Sequence, residues 1–290
     1  GSGKIRDVVW IIRLPRLLLS MSVGIGLAIC GVIMQAVVKN PLAEPYTLGI
    51  SSGASLGATV AILMGIGTMF GSNYVGVMAF LGAFCISLAV VGIANLGGRA
   101  TSVKLLLAGM ALSSICSAFS SFIVYFAHDR DGIKDVSYWL MGSFTSATYK
   151  KLLIGSPLIL IGIVVIYLLR WRLNILSLSE DEAKASGINL KRTQMIFILA
   201  STVITASAVS MCGQVGWIGL LVPHCARMLV GSNNRYVVPI SLSLGASFMI
   251  LIDTLSRTIS VIELPLSILT AIIGAPVFIS LLNKNRSNLQ

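Results

Sequence analysis

Long apolar runs separated by short polar breaks dominate the pattern of the chain. A bilayer core about 30 Å thick needs about 20 mostly apolar residues in a helix that rises about 1.5 Å per residue. Most runs approach that length, and the run near 217–230 is short enough to span the bilayer only partly. The pattern therefore predicts nine membrane segments, at residues 17–38, 46–66, 75–96, 103–127, 151–171, 194–213, 217–230, 237–256 and 266–283.

Two polar breaks are long enough to hold structure of their own. Residues 128–150 begin with a charged run, contain Tyr138 and Trp139, and predict a short loop or an interfacial helix. Residues 173–192 are the longest polar stretch that can form a helix, and they include Glu180 and Glu182. A helix of this kind between two spans either docks onto a partner or serves as a solvated connector.

Composition confirms that the chain belongs in lipid. Of its 290 residues, 56% are hydrophobic, only 11% are charged, and the mean hydropathy is +0.93. A soluble domain carries about 25% charged residues, so this chain could not cover a water-facing surface. The same figures exclude a disordered chain and a small disulfide scaffold. The five cysteines lie in or beside apolar runs without metal-ligand spacing, which predicts small buried side chains.

The net charge of +11 does not indicate a nucleic-acid partner, because the 21 basic residues lie mostly in the breaks between apolar runs. Membrane proteins place charge at their interfaces in this way. If the 173–192 loop is cytoplasmic, alternation of the spans puts 12 basic residues inside and 9 outside. That margin is small for the positive-inside tendency, so the outer basic residues, with Arg13 and Arg16 among them, suggest a function other than topology.

Catalytic and metal-binding motifs are not found in the sequence. It has no HExxH, no paired catalytic carboxylates and no Ser-His-Asp set, and His128 and His224 are its only histidines. Neither Gly1-Ser2-Gly3-Lys4 nor the glycines of 213–219 stand in the strand–helix context that nucleotide binding requires. We therefore predict no active site, no metal site and no cofactor in this chain.

A series of short motifs along the chain is more specific. In order they are Arg13-Leu14-Pro15-Arg16, Gly31-Val32-Ile33-Met34-Gln35, Asn40-Pro41-Leu42-Ala43-Glu44-Pro45, Leu105-Leu106-Leu107-Ala108-Gly109, Tyr138-Trp139-Leu140-Met141-Gly142-Ser143, Gly216-Trp217-Ile218-Gly219-Leu220-Leu221-Val222-Pro223-His224, Asp253 with Arg257, Glu263-Leu264-Pro265 and Gly274-Ala275-Pro276-Val277-Phe278. Together they resemble the permease family of type II ABC importers, which take up iron–siderophore complexes, haem or cobalamin. The resemblance runs from about residue 10 to residue 282.

The resemblance implies an all-α, polytopic fold with ten membrane helices, in one transmembrane domain over residues 1–290. In the family the Arg13–Arg16 motif follows the first helix, so the helix additional to the nine predicted here would be the first. The implied partners are a second permease copy, identical or a close paralogue, two ATP-binding subunits that hold ATP and Mg, an extracytoplasmic binding protein and membrane lipid. The implied location is the cytoplasmic (inner) membrane of a bacterium or archaeon.

Three groups of site residues are implied by matching positions in the family. Arg13, Arg16 and Arg257 would face acidic residues of the binding protein. Leu178, Glu180, Ala183 and Gly187 would belong to the coupling helices that sit in a cleft of the ATPase, although Ser179 and Ser186 depart from the usual pattern. Asn40, Leu42, Ser102 and Val103 would form the cytoplasmic constriction of a pathway between two copies, lined by spans 103–127 and 266–283.

The expected function is import of a metal chelate, most simply a ferric siderophore, with haem, cobalamin and molybdate as alternatives. A rival of another class is a secondary transporter driven by an ion gradient. Such transporters place ionisable residues near the middle of their spans, and here Asp253 is the one candidate. A membrane-embedded enzyme, the other rival, would need paired catalytic residues.

Overall fold

A computed structural model describes residues 6–65, 73–96, 101–178, 182, 185–260 and 262–287. Over those ranges every regular element is helical. Six helices are long and apolar enough to cross a membrane: α1 (Leu14–Val38), α3 (Asn73–Asn95), α4 (Ser102–Phe126), α6 (Tyr149–Leu176), α7 (Leu190–Cys212) and α9 (Asn234–Thr258). Three more are apolar but shorter or less apolar: α2 (Ile50–Leu63), α8 (Ile218–Val230) and α10 (Leu266–Ser287). A helix therefore lies in each of the nine predicted segments, and in six of them it is long and apolar enough to cross a membrane.

The remaining helix, α5 (Arg130–Met141), lies in the long polar break, so of the loop and the helix predicted there the helix is confirmed. Asp129 caps its start by accepting a hydrogen bond from the Asp131 N–H, at 3.0 Å. Its strong segregation of polar and apolar side chains suits a helix that lies along an interface. Only Gly132 and Val136 of this helix are buried.

Helix α1 is the centre of the bundle. A π-helical turn, Val8–Arg13, leads into it, and Pro15 occupies its first turn, where a missing N–H removes no helical hydrogen bond. Side chains from Leu19 to Val38 are almost all buried, because α6, α7, α8 and α9 surround the helix. A helix that is apolar on every face is expected to be enclosed in this way.

Glycines allow the closest helix contacts. A Cβ added to Gly24 of α1 would overlap the Gly245 carbonyl of α9, and the reverse also holds. The same relation joins Gly53 of α2 to Gly82 of α3. The backbones touch at both crossings, which confirms that the small residues of the 49–57 stretch serve tight helix packing.

The short helices α2 and α8 begin half-way along the bundle. A non-α segment, 40–49, precedes α2 and contains the 3₁₀ turn Pro45–Leu48, while residues 213–217 precede α8. Pro45 lies against Gly219, whose carbonyl touches Gly31 in the middle of α1. Helices of 14 and 13 residues reach only about 20 Å. The partial span predicted at 217–230 is thus confirmed, whereas the span predicted at 46–66 becomes α-helical only at Ile50, because Pro45 and Gly49 interrupt it.

Side-chain contacts define two ends of the bundle. At the Arg16 end, the start of α1 meets the end of α9 and the connections 142–148 and 262–265. At the Lys39 end, Lys39 donates to the Leu178 carbonyl, and Asn174 at the end of α6 bonds to Asn233 before α9, at 2.8 Å. The sites predicted from the sequence lie at these two ends.

Candidate functional site

Arg16 stands at the centre of a buried charge cluster at the end named after it. Its Nε donates to Asp253 Oδ1 at 2.7 Å and its Nη1 donates to Glu263 Oε1 at 2.8 Å. Arg16 is only 7% exposed and Asp253 only 3% exposed. Charges taken out of water this far require partners with good geometry, and the planar guanidinium provides it for two carboxylates at once.

Two further residues complete the cluster. Arg257 Nε lies 3.4 Å from Asp253 Oδ2, one helical turn away, and the Thr145 hydroxyl donates to Glu263 Oε2 at 2.8 Å. The cluster thereby ties α1 to α9, to the loop before α10 and to the loop after α5. The Asp253–Arg257 pair is the i, i+4 pair that the sequence indicates, whereas nothing in its spacing pointed to Arg16 as the partner of Asp253 and Glu263.

The three arginines predicted to face a binding protein therefore differ in availability. Arg13 is exposed, with no carboxylate within 4 Å among the residues that the structure describes. The side chain of Arg257 is 34% exposed. Arg16 is enclosed and already paired. The arrangement leaves Arg13 and Arg257 able to reach an approaching surface, while Arg16 holds the cluster together.

The carboxyl of Glu263 is stabilised as an anion. Hydrogen bonding by Arg16 lowers its pKa below the ordinary glutamate value and outweighs the opposing effect of burial, and Thr145 and Arg257 lower the pKa further by smaller amounts. The Glu263 carboxylate is therefore ionised near neutral pH. Its charges favour a fixed conformation of the 262–265 connection.

Half-way along the bundle, the two non-helical segments satisfy one another. The Tyr46 hydroxyl accepts a hydrogen bond from the Val215 N–H at 3.1 Å and donates to the Val215 carbonyl at 2.9 Å. Gln214 donates to the Ser51 carbonyl at 3.3 Å and also contacts the Ser55 hydroxyl. Irregular backbone can lie at this depth only when it is buried in protein and its polar groups are paired.

The residues predicted to form the gate lie at the Lys39 end. Asn40 caps the turn after α1, its Oδ1 accepting from the Leu42 N–H at 2.9 Å, and Lys39 just before it adopts the left-handed conformation, with φ at 53°. Ser102 and Val103 begin α4, which Thr101 caps. Leu42 and Val103 leave 56% and 63% of their surface exposed, which suits side chains that face another chain. Within the described residues no hydrogen bond joins the two pairs.

A cavity of about 570 Å³ joins the gate to the start of the coupling segment. Asn40 and Ser177 both line it, together with Arg227 of α8. Arg227 donates to Gln35, and Lys39 bonds to the Leu178 carbonyl. A displacement of the segment after α6 would therefore act directly on the turn that holds Asn40.

The coupling residues are placed only in part. Leu178 is exposed at the end of α6, and Gly187 is exposed in a turn before α7, with φ at +71° and open space around it. Only glycine takes that backbone conformation without strain. Glu180 and Ala183 lie outside the described residues.

Several helices, α6 among them, expose large apolar side chains, and two of these faces bear on the predicted pathway. Helix α4 exposes a row of large side chains that includes Leu107, Met110, Phe119 and Phe122, and α10 exposes Ile272. These are the spans predicted to line a pathway between two copies. Among described residues no group of three or more His, Cys, Asp or Glu side chains is placed to hold a metal ion.

Comparison with known proteins shows which family the chain belongs to. Residues 2–284 match the FecCD transport family. The molybdate import system permease protein MolB of Haemophilus influenzae is 38% identical over 274 residues, which cover 94% of this chain and 80% of that protein. The hemin transport system permease protein HmuU of Yersinia pestis is 37% identical, over 96% of this chain and 84% of that protein.

The fold also matches a solved structure closely. A candidate metal-chelate type ABC transporter in an inward-facing conformation superposes with a TM-score of 0.89 at 37% identity. The match covers 96% of this chain and 88% of that one. The all-helical bundle, with its short α2 and α8, is therefore an ABC importer permease fold.

Proposed function

Because the chain belongs to the FecCD transport family, the permease family of type II ABC importers, we propose that it carries a ferric siderophore from an extracytoplasmic binding protein into the cytoplasm. The observation that carries the proposal is the match to the family over nearly the whole chain, together with the matching fold. Haem, cobalamin and molybdate are the alternative cargoes, and permeases named for molybdate, hemin and vitamin B12 import are similar to this chain at nearly equal identity, 37–38%. The energy comes from ATP and Mg on separate subunits, and this chain hydrolyses nothing.

In this proposal the Arg16 end faces outward and receives the binding protein. Arg13 and Arg257 supply positive charge that attracts acidic lobes, and Arg16 keeps the platform in shape. Charges of this kind chiefly raise the association rate and are screened by salt. Reversing Arg13 and Arg257 to Glu should slow docking strongly at low salt, and the difference should shrink as salt is added. Equal association rates for the variant and the parent at low salt would contradict this role.

The Lys39 end faces the cytoplasm and meets the ATPase. Leu178, Glu180, Ala183 and Gly187 dock into the ATPase, and the contact of Lys39 with Leu178 passes motion to Asn40 and Leu42. A second copy, identical or a paralogue, faces α4 and α10, so that Ser102 and Val103 of both copies close the pathway. The complex lies in the cytoplasmic membrane of a bacterium or archaeon.

Uptake into proteoliposomes tests the function. The permease and its ATPase are reconstituted with the binding protein in vesicles whose lumen corresponds to the cytoplasm and contains ATP. Uptake of labelled ferric siderophore, haem, cobalamin and molybdate is then compared. We expect ATP-dependent uptake of the siderophore. Uptake driven by an ion gradient without ATP would overturn the importer mechanism, and ATP-driven uptake of another cargo alone would overturn the choice of substrate.

A further inference from the structure

A crevice at the Arg16 end has no part in the transport function proposed above. Its volume is about 910 Å³, and it lies between the starts of α3 and α6, the end of α7 and helix α5. Thr145 lines the crevice and also donates a hydrogen bond to Glu263, so the crevice lies beside the charge cluster. Its mouth is polar and its walls, which include Phe80, Ile154 and Leu158, are apolar.

Two adjacent lysines stand at the mouth. Lys150 is exposed, and Lys151 is half-buried with its Nζ donating to the Ser146 hydroxyl at 2.6 Å. Neither has a carboxylate within 4 Å in the part of the chain that the structure describes, although Asp135 lines the same crevice. The crevice thus holds one more positive than negative charge among its described residues, and Lys150 together with the remaining N–H donors of Lys151 can bind an anion.

These lysines are in an unfavourable local position. They occupy the first turn of α6, a helix of 28 residues capped by Thr148. The positive end of the helix dipole repels cations there, and acidic residues would be preferred. The same two lysines belong to the basic residues that weaken the positive-inside bias of the sequence. The two lysines thus go against both the helix dipole and the positive-inside tendency. Such exceptions are typical of functional positions, where a bound anion would offset the unfavourable charge.

The apolar wall continues from the lysines down the helix. Lys150, Ile154 and Leu158 are spaced at i, i+4 and i+8, so they form one stripe about 12 Å long on the surface of α6. Ile154 is 54% exposed, and so it is available to a hydrocarbon chain. Tyr138 and Trp139 at the mouth are the aromatic residues that mark the level of lipid headgroups.

We propose that this crevice binds an anionic phospholipid, whose phosphate contacts Lys150 and Lys151 and whose acyl chain lies along Ile154 and Leu158. The charged mouth is complementary to the phosphate, and the apolar stripe is complementary to the chain. An acidic partner protein would be complementary to the lysines, but it would not contact the apolar side chains that continue down the spanning helix. The bound lipid neutralises the lysines at the start of α6 and holds α5 against α6.

Lipid retention measured by native mass spectrometry tests the proposal without any transport assay. The purified chain in detergent is titrated with dioleoyl phosphatidylglycerol and, separately, dioleoyl phosphatidylcholine. We expect a preference for phosphatidylglycerol of about tenfold or more, since each lysine near a lipid surface contributes on the order of 1 kcal/mol. The double variant K150Q/K151Q should lose that preference, and K150R/K151R should retain it.

A matched control pair lies at the other end of the bundle. Lys191 and Arg192 are exposed in the first turn of α7, and K191Q/R192Q should leave phosphatidylglycerol retention unchanged. The variant I154W fills the apolar slot and should lower retention although both lysines remain. Soluble glycerol 3-phosphate should compete weakly, because it lacks the chain. Size-exclusion profiles identify any variant that is misfolded, and for such a variant the single change K150Q replaces the double one.

Several results would overturn the proposal. They are equal retention of the two lipids by the parent chain, unchanged retention in the lysine variants, or full competition by glycerol 3-phosphate with no effect of I154W. The last would indicate a site for a free anion. Loss of binding-protein docking in K150Q/K151Q with unchanged lipid retention would assign the lysines to a protein interface instead.

Discussion

Arg16 shows how a residue's role depends on what surrounds it. Its sequence motif and its family position suggest a surface charge for docking, but the side chain is enclosed between Asp253 and Glu263. Arg13, three residues earlier, carries the same charge in the open. The free energy that a charged group contributes depends on its partners and its burial rather than on its type.

The first prediction at this scale concerns stability. Changing Arg16 to Gln should lower the free energy of unfolding by about 3–5 kcal/mol, because buried Asp253 would lose its closest partner and keep only the longer, 3.4 Å contact with Arg257. Arg13→Gln is the matched control and should stay within about 0.5 kcal/mol of the parent. Thermal unfolding in detergent, followed by size exclusion, measures both. Equal melting temperatures for the two variants would show that the buried cluster adds no stability.

The second prediction follows from the lowered pKa of Glu263. A carboxyl whose pKa is lower in the folded state stabilises the fold above its ordinary pKa, and that stabilisation is lost as pH falls through the folded-state value. The melting temperature should therefore hold steady from pH 7 to about pH 5 and then fall below about pH 4. Glu263→Gln should flatten this acid limb, and an unchanged limb in the variant would contradict the assignment.

At the scale of elements, α2 and α8 depend on each other. Each begins half-way along the bundle, and the backbone of Val215 before α8 finds its partner in a side chain of the segment before α2. Tyr46 supplies the link by pairing with both polar backbone groups of Val215. Breaks of this kind are the places where membrane helices are built for function rather than for simple spanning.

Removing the Tyr46 hydroxyl tests this link. Tyr46→Phe should lower the free energy of unfolding by about 1–3 kcal/mol, since a buried N–H and a buried carbonyl lose their partner at once. Tyr236→Phe, at an exposed tyrosine of α9, should have little effect. Chemical unfolding in mild detergent compares the two variants, and similar losses in both would mean that the hydroxyl contact is not structural.

The coupling segment offers a further prediction at this scale. A bulky residue at Ala183 or Gly187, such as Trp, should uncouple ATP hydrolysis from transport, because overpacking a docked surface costs about 1–3 kcal/mol. Gly187→Ala separates the two possible causes at that position, since it introduces the strain of a positive φ without the bulk. ATPase activity and uptake are measured side by side. Normal coupling in both Trp variants would place the ATPase contact elsewhere.

For the whole molecule, the proposed assembly places a second copy against the exposed apolar faces of α4 and α10. Leu42 and Val103, on separate segments of the Lys39 end, are open to a second chain. Cysteines at Asn40 or Ser102 should crosslink between two copies when no nucleotide is bound. The background requires replacement of Cys85, which is exposed. A cysteine at Leu160 on the exposed face of α6 is the control and should not crosslink. Failure at Asn40 and Ser102 in every nucleotide state would place them away from the dimer axis.

The membrane class, the nine apolar segments and the family could be predicted from the sequence, and so could a short helix or loop in the polar break that holds α5. Each of these depends on local quantities: the length of an apolar run, the position of its charges, and the order of short motifs. The Asp253–Arg257 pair was predictable for the same reason, because helical spacing alone brings its members together.

Only the tertiary structure decided what the long-range partners are. Arg16 and Glu263 are 247 residues apart in sequence, and Tyr46 and Val215 are 169 apart. Hydrophobic periodicity predicts which face of a helix is buried. It does not predict which residue on another element will pair with a polar group on that face. The crevice at Lys150 and Lys151 likewise exists only where four helices meet, because a cavity is a property of packing between elements.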